Sequence, residues 1–150
     1  MFEHDLKDYR MDRIGNEIDK LTHKIIGCAM QVHSTLGNGF QEVIYQRALA
    51  IELSFQGLSF EREKEMPIHY REVQIGTRRV DFFVEEQVMV ELKAVEKLEG
   101  VHKAQAINYL EAYNMADGLL INFGNTSLQF KRVYNKKLVS RENLKNIDPK

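Results

Sequence analysis

An α/β domain built on a mixed sheet is predicted by three features of the chain. Two amphipathic helical stripes come first, each closed by glycine; a block of alternating, strand-like segments follows. A third helical stretch then leads into Gly118-Leu119-Leu120-Ile121-Asn122-Phe123, a nearly all-apolar run of the kind buried on both faces of a sheet. A chain of 150 residues fits one domain with a real core. The expected organisation is an N-terminal arm over 1–15, a domain over 16–135 and a basic tail over 136–150.

Residues 1–15 are polar without a sustained period, as in a loose arm or short helix. Ile18, Leu21, Ile25, Ala29, Val32 and Leu36 recur at steps of three and four, the stripe of an amphipathic helix. Gly37-Asn38-Gly39 ends it, because glycine accepts the positive φ of a helix C-terminus. The spacing predicts a second helix from about Phe40 to Gln56, with Ile44, Ala48, Ile51 and Phe55 inward and Gly57 as its stop. Leu58–Glu65, Pro67–Arg71 and Val73–Ile75 read as extended, with Pro67 favouring an edge and Gly76 a turn or bulge. Two strands, Arg78–Val84 and Val88–Ala94, then form a tight hairpin. About Val101 to Asn114 is the third helix, and Leu128–Val133 alternates like a partly solvated edge strand.

The hairpin carries the chemistry. Along Val88–Ala94 the side chains alternate, sending Val88, Val90, Leu92 and Ala94 to a core face and Glu91 and Lys93 to the other. In the preceding strand Asp81 points opposite to Val80, Phe82 and Val84. A turn centred on Glu86 pairs 84 with 88, 82 with 90, and Asp81 with Glu91. Like charges directly across a strand pair cost up to about 1 kcal/mol, and a divalent cation removes the conflict. Mg²⁺ takes hard oxygen ligands, commonly one or two carboxylates plus substrate phosphate. Lys93 on the same face would neutralise charge developing on that phosphate. Against this stands a plain alternative, in which Glu91 and Lys93 form a solvated strand face beside a chance Asp81.

Composition narrows the function classes. Hydrophobic residues at 43% and charged ones at 29% mark an ordinary globular protein rather than a disordered one. The net charge of −1 argues against a protein that coats nucleic acid nonspecifically. Lys131, Arg132, Lys136, Lys137, Arg141 and Lys145 nevertheless concentrate near the C-terminus, as a phosphate-binding edge or a solvated tail. Cys28 is the single cysteine, which excludes an intramolecular disulfide and a thiolate zinc cluster; on the apolar stripe it reads as a core residue. The opening Met1–Asp8 is too charged for a signal peptide and no apolar run reaches the length of a membrane span, so a cytoplasmic protein is expected.

Other residues share faces with this site. Glu42, Tyr45 and Gln46 stand three and four apart early in the second helix, where a carboxylate also simply complements the helix dipole. His102, Gln105 and Tyr109 form one polar stripe on the third helix, with Lys103 adjacent. Gln105 and Tyr109 on that stripe either bracket a nucleotide or phosphate, or are a surface amide and a half-buried ring.

Gly39-Phe40-Gln41-Glu42-Val43-Ile44-Tyr45 is a complete G-x-x-E-x-x-Y string. With His33-Ser34-Thr35-Leu36-Gly37 before it, Arg78-Arg79-Val80-Asp81-Phe82, Val90-Glu91-Leu92-Lys93-Ala94 and Gln105-x-x-x-Tyr109, it resembles the GxxExxY protein family of the PD-(D/E)XK nuclease superfamily. The resemblance runs from about Leu21 to Val133. It implies a restriction-endonuclease-like sandwich, a mixed β-sheet with an αβββαβ core and an extra N-terminal helix. It implies Asp81 and Glu91 as metal ligands joined by Glu42, Lys93 as the catalytic lysine, and Gln105 and Tyr109 as substrate supports like the Q-x-x-x-Y motif of RecB-like exonucleases, with Tyr45 a further substrate contact. Val80 stands where the superfamily usually has proline. The implied activity is Mg²⁺- or Mn²⁺-dependent hydrolysis of nucleic acid, DNA before RNA. Without an apolar span no membrane partner is expected, and a small single-domain nuclease would span a duplex as a symmetric homodimer. The alternative is an inactive nuclease-fold module that binds nucleic acid or a protein partner.

Overall fold

The computed structural model describes the backbone of residues 3–138 and side chains over 17–138. The tail beyond 138, including Arg141 and Lys145, lies outside the described residues. Three helices and five strands follow one another as α1 (Glu3–Leu36), α2 (Glu42–Phe55), β1 (Phe60–Tyr70), β2 (Val73–Val84), β3 (Val88–Lys93), α3 (Gly100–Ala112), β4 (Asp117–Asn122) and β5 (Gln129–Tyr134). Helix α1 begins at Glu3, so residue 15 does not mark an element boundary. No helix among the described residues is long and apolar enough to cross a membrane.

The sheet order is β1-β2-β3-β4-β5. All neighbours are antiparallel except β3 and β4, which run parallel and need a long crossover, supplied by α3. Helices α1 and α2 pack on one face through Leu21, Ile25, Ala29, Val32, Tyr45, Leu49 and Leu53 against Phe82, Val84, Val88, Val90, Leu92 and Ile121. Helix α3 packs on the other, where Ala106 and Leu110 meet Val80, Met89 and Val133. The expected mixed α/β sandwich is therefore present, with an αβββαβ run after the extra first helix and β5 added at the far edge. Cys28 lies buried in the α1 stripe, and burial pushes its thiol pKa up, as suits a core residue.

Several local expectations change. In α2 the inward residues are Tyr45, Gln46, Leu49 and Leu53, whereas Ile51 and Phe55 are 61% and 82% exposed. Apolar residues flank both sides of that helix, so the stripe could be drawn one position out of phase. The three short extended segments fuse into one long hairpin of β1 and β2, turned by Arg71 and Glu72, which both take positive φ. Pro67 does lie in an edge strand, and a register shift falls opposite Gly76. At the sharp turn after α1, Gly37 has φ +74° and its N–H donates to His33 O at 2.8 Å.

Tyr45 is the largest correction among the named residues. It is fully buried, stacks on Phe123 at 4.6 Å, donates its hydroxyl to Gly37 O at 2.6 Å and accepts from Phe40 N at 3.1 Å. A side chain so enclosed does not reach substrate. It ties the α1–α2 turn together, which gives the tyrosine of the G-x-x-E-x-x-Y string a structural purpose. Tyr45→Phe is expected to cost about 1 kcal/mol in urea unfolding, because it removes the two hydrogen bonds by which the hydroxyl ties Gly37 to Phe40, and to leave metal binding unchanged.

Candidate active site

Strands β2 and β3 pair as Phe82 with Val90, Phe83 with Met89 and Val84 with Val88, the register expected from a turn at Glu86. The ladder then stops. At the next position the two acidic side chains replace the missing backbone bonds: Leu92 N–H donates to Asp81 Oδ2 at 2.8 Å, and Asp81 N–H donates to Glu91 Oε1 at 3.3 Å. Asp81 and Glu91 thus sit where the strands part, each carboxylate bonded to the other strand's backbone. Glu91 is only 2% exposed, so the solvated-face alternative does not hold.

A second irregularity explains what else reaches them. Phe82 and Val84 belong to the α1–α2 core, but Val80 packs in the α3 cluster, contrary to the simple alternation expected from the sequence. On the partner strand the change falls at Glu63, which has φ +54° and faces the Asp81 level. Side chains N-terminal to Asp81 therefore exchange faces. Arg78 consequently reaches Glu91, its Nη2 3.1 Å from Oε2, and lies 4.6 Å over the Tyr109 ring of α3.

From the other side, Gln46 of α2 donates Nε2 to Asp81 Oδ1 at 2.9 Å. Its own Oε1 is buried without a hydrogen-bond partner among the described atoms. Glu42 stands one helical turn earlier, at the rim of the site, its pKa raised by desolvation first and by the Asp81 charge second. Lys93 is half-buried at the end of β3 and pulls the pKa of Glu42, Asp81 and Glu91 down. Asn122, fully buried beside it, holds the following loop by accepting from Val95 N and donating to Val95 O. Gln105 is exposed on α3, Tyr109 half-buried. His102 turns away to cap α3, accepting from Glu99 N at 2.9 Å.

The electrostatics of the pair are those of acids short of positive charge. Burial raises the Asp81 pKa, partly offset by the Leu92 and Gln46 hydrogen bonds and by Arg78 and Lys93. Burial first and the Asp81 charge second push Glu91 up to about 7. A folded-state pKa above the ordinary 4.5 means that the fold retains a proton the unfolded chain has lost. The stability from that proton is complete below about pH 4.5 and disappears as pH rises through about 7. Metal-free protein is thus expected to lose up to about 3 kcal/mol between pH 5 and 8, and Glu91→Gln to flatten that decline. A stability profile equally steep in the variant would contradict it.

Among the described residues, no three His, Cys, Asp or Glu side chains are gathered closely enough to enclose a metal ion. Mg²⁺ does not need such a cage, since one or two carboxylates with water and phosphate suffice. Hard oxygen donors, the half-buried Asp81 and buried Glu91 with raised pKa, and the unpartnered Gln46 oxygen fit a hydrated divalent cation.

Residues 19–133 match the PD-(D/E)XK nuclease superfamily. The chain belongs to that superfamily. Its nucleases generally depend on a divalent metal. Among solved structures the chain is similar to one described as the crystal structure of SSO0001, at 17% identity and a TM-score of 0.51, over 71% of this chain and 55% of that one. That likeness speaks for the fold, restriction-endonuclease-like, and the chain spans about half of that structure's length. The comparison with curated proteins gives no match. Within this superfamily member, sequence reasoning singled out Asp81, Glu91, Lys93 and Glu42 but missed Arg78 and the role of Gln46. Strict alternation puts Arg78 with Val80 on the wrong face; Gln46 was visible as the residue one turn from Glu42.

Proposed function

We propose that this superfamily member is a Mg²⁺- or Mn²⁺-dependent nuclease of the GxxExxY group that hydrolyses phosphodiester bonds, in DNA before RNA. The observation that carries the reading is the interleaved Asp81–Glu91 pair, a half-buried and a buried acid set at a break in the β2–β3 ladder with Lys93 beside them. Burying like charges together costs stability unless a cation accompanies them.

Asp81 and Glu91 would hold the cation, with Glu42 reaching it through water. When bound, it polarises the phosphate and makes a nearby water a better nucleophile. Gln46 fixes the Asp81 carboxylate, and the Leu92 and Asp81 amides fix both acids in place. Lys93 offsets the negative charge that builds on the phosphate as water attacks. Gln105 and Tyr109, on one face of α3, support the substrate.

The second reading, an inactive nuclease-fold module, is favoured by one observation: Arg78 already pairs with Glu91. Incubation with single-stranded, double-stranded and branched DNA and with RNA separates the two. Cleavage that requires Mn²⁺ or Mg²⁺ and ends with EDTA supports the enzyme; no metal-dependent cleavage of any substrate supports the module.

A further inference from the structure

The proposed chemistry leaves Arg78 without a task, although it is ion-paired with Glu91. Its guanidinium lies 3.1 Å from a Glu91 carboxylate that is itself 3% exposed. A carboxylate so enclosed needs a counter-charge, and the guanidinium supplies it. That seat is poorly finished. Arg78 Nε is buried without a hydrogen-bond partner among the described atoms, which leaves part of the donor fork unsatisfied. The side chain is also 36% exposed, so it can turn outward without dismantling the core. The Tyr109 ring, 4.6 Å away, offers the guanidinium a contact that does not depend on Glu91.

A divalent cation on Glu91 would stand within a few ångströms of this fixed positive charge and be repelled by it. We propose that Arg78 is an exchangeable internal counter-ion, seated on Glu91 in the metal-free protein and displaced when a divalent cation takes that carboxylate. The inference rests on the metal-dependent reading and deepens it: Arg78 sets how tightly the resting site binds metal. It also removes the apparent conflict between a paired Glu91 and a working site. Arg79, the neighbouring basic residue, is exposed, whereas Arg78 is the one that pairs with Glu91, so the task falls to Arg78.

The opposite role is a clamp that holds Glu91 ready for metal. The two differ in sign. A clamp removed loosens a ligand and weakens metal binding, whereas a competitor removed tightens it. Mn²⁺ titration calorimetry on the full chain at pH 8.5, where Glu91 is ionised, compares wild type with Arg78→Met, Arg78→Gln and Arg78→Lys. The neutral variants are expected to bind Mn²⁺ at least about tenfold tighter, with Arg78→Lys, which keeps the charge, within about threefold of wild type. Binding gained by the neutral variants where wild type shows none gives the same support. Equal or weaker binding in both neutral variants, with wild type binding, overturns this inference alone. No binding in any of the four proteins overturns the metal-site reading and this inference with it. Arg78→Gln, polar and close in length, keeps the comparison decisive if Arg78→Met misfolds.

Discussion

Asp81→Asn is expected to abolish metal-dependent cleavage, by at least about 10³-fold, and the metal-induced rise in melting temperature, while leaving the protein folded. The loss follows from removing one of the two proposed anionic ligands from a site with few others. The fold survives because the amide finds partners. Asn Oδ1 can still accept from Leu92 N–H, and Nδ2 would face Gln46, whose unpartnered Oε1 can turn to accept it. The substitution also removes the like charge that helps to raise the Glu91 pKa. Wild type at metal one hundredfold above Kd gains about 2.7 kcal/mol by mass action, readable by thermal denaturation with and without Mn²⁺. Equal shifts in wild type and Asp81→Asn would remove Asp81 from the site.

Lys93→Ala is expected to separate catalysis from binding. Lys93 acts on all three carboxylates through space, and its proposed task is at the transition state, where losing one well-placed cationic donor costs about 10²–10³ in kcat. Mn²⁺ affinity at pH 8.5 should be kept or rise, because a positive charge beside the site is lost rather than a ligand. Single-turnover cleavage with a parallel Mn²⁺ titration checks both. A variant that loses metal binding and cleavage together would make Lys93 a support of the ligand set instead.

The parts of this site that a period-two pattern controls were legible in the sequence. The hairpin register, the adjacency of Asp81 and Glu91 and the buried β4 strand follow from alternation, turn position and apolar runs. Breaks in that pattern were not legible. Glu63 in the left-handed region and the exchange of faces at Asp81 leave no local signature, so nothing in the sequence brings Arg78 to Glu91. The α2 phase failed for a different reason: Val43, Ile51 and Phe55 are exposed apolar residues, which blur a helical stripe. Tyr45 shows a further limit, since a tyrosine three residues from a candidate ligand looks the same whether it meets substrate or ties a turn. Only its burial and its two hydrogen bonds distinguish them.

The central claim is that Asp81 and Glu91 together hold a divalent cation. Anomalous scattering from crystals of the full chain soaked in Mn²⁺ tests it most directly. The account predicts a peak within bonding distance of a carboxylate oxygen of each of these two residues, with Arg78 moved off Glu91. A soaked crystal with no peak there, or with manganese bound only elsewhere, would contradict it.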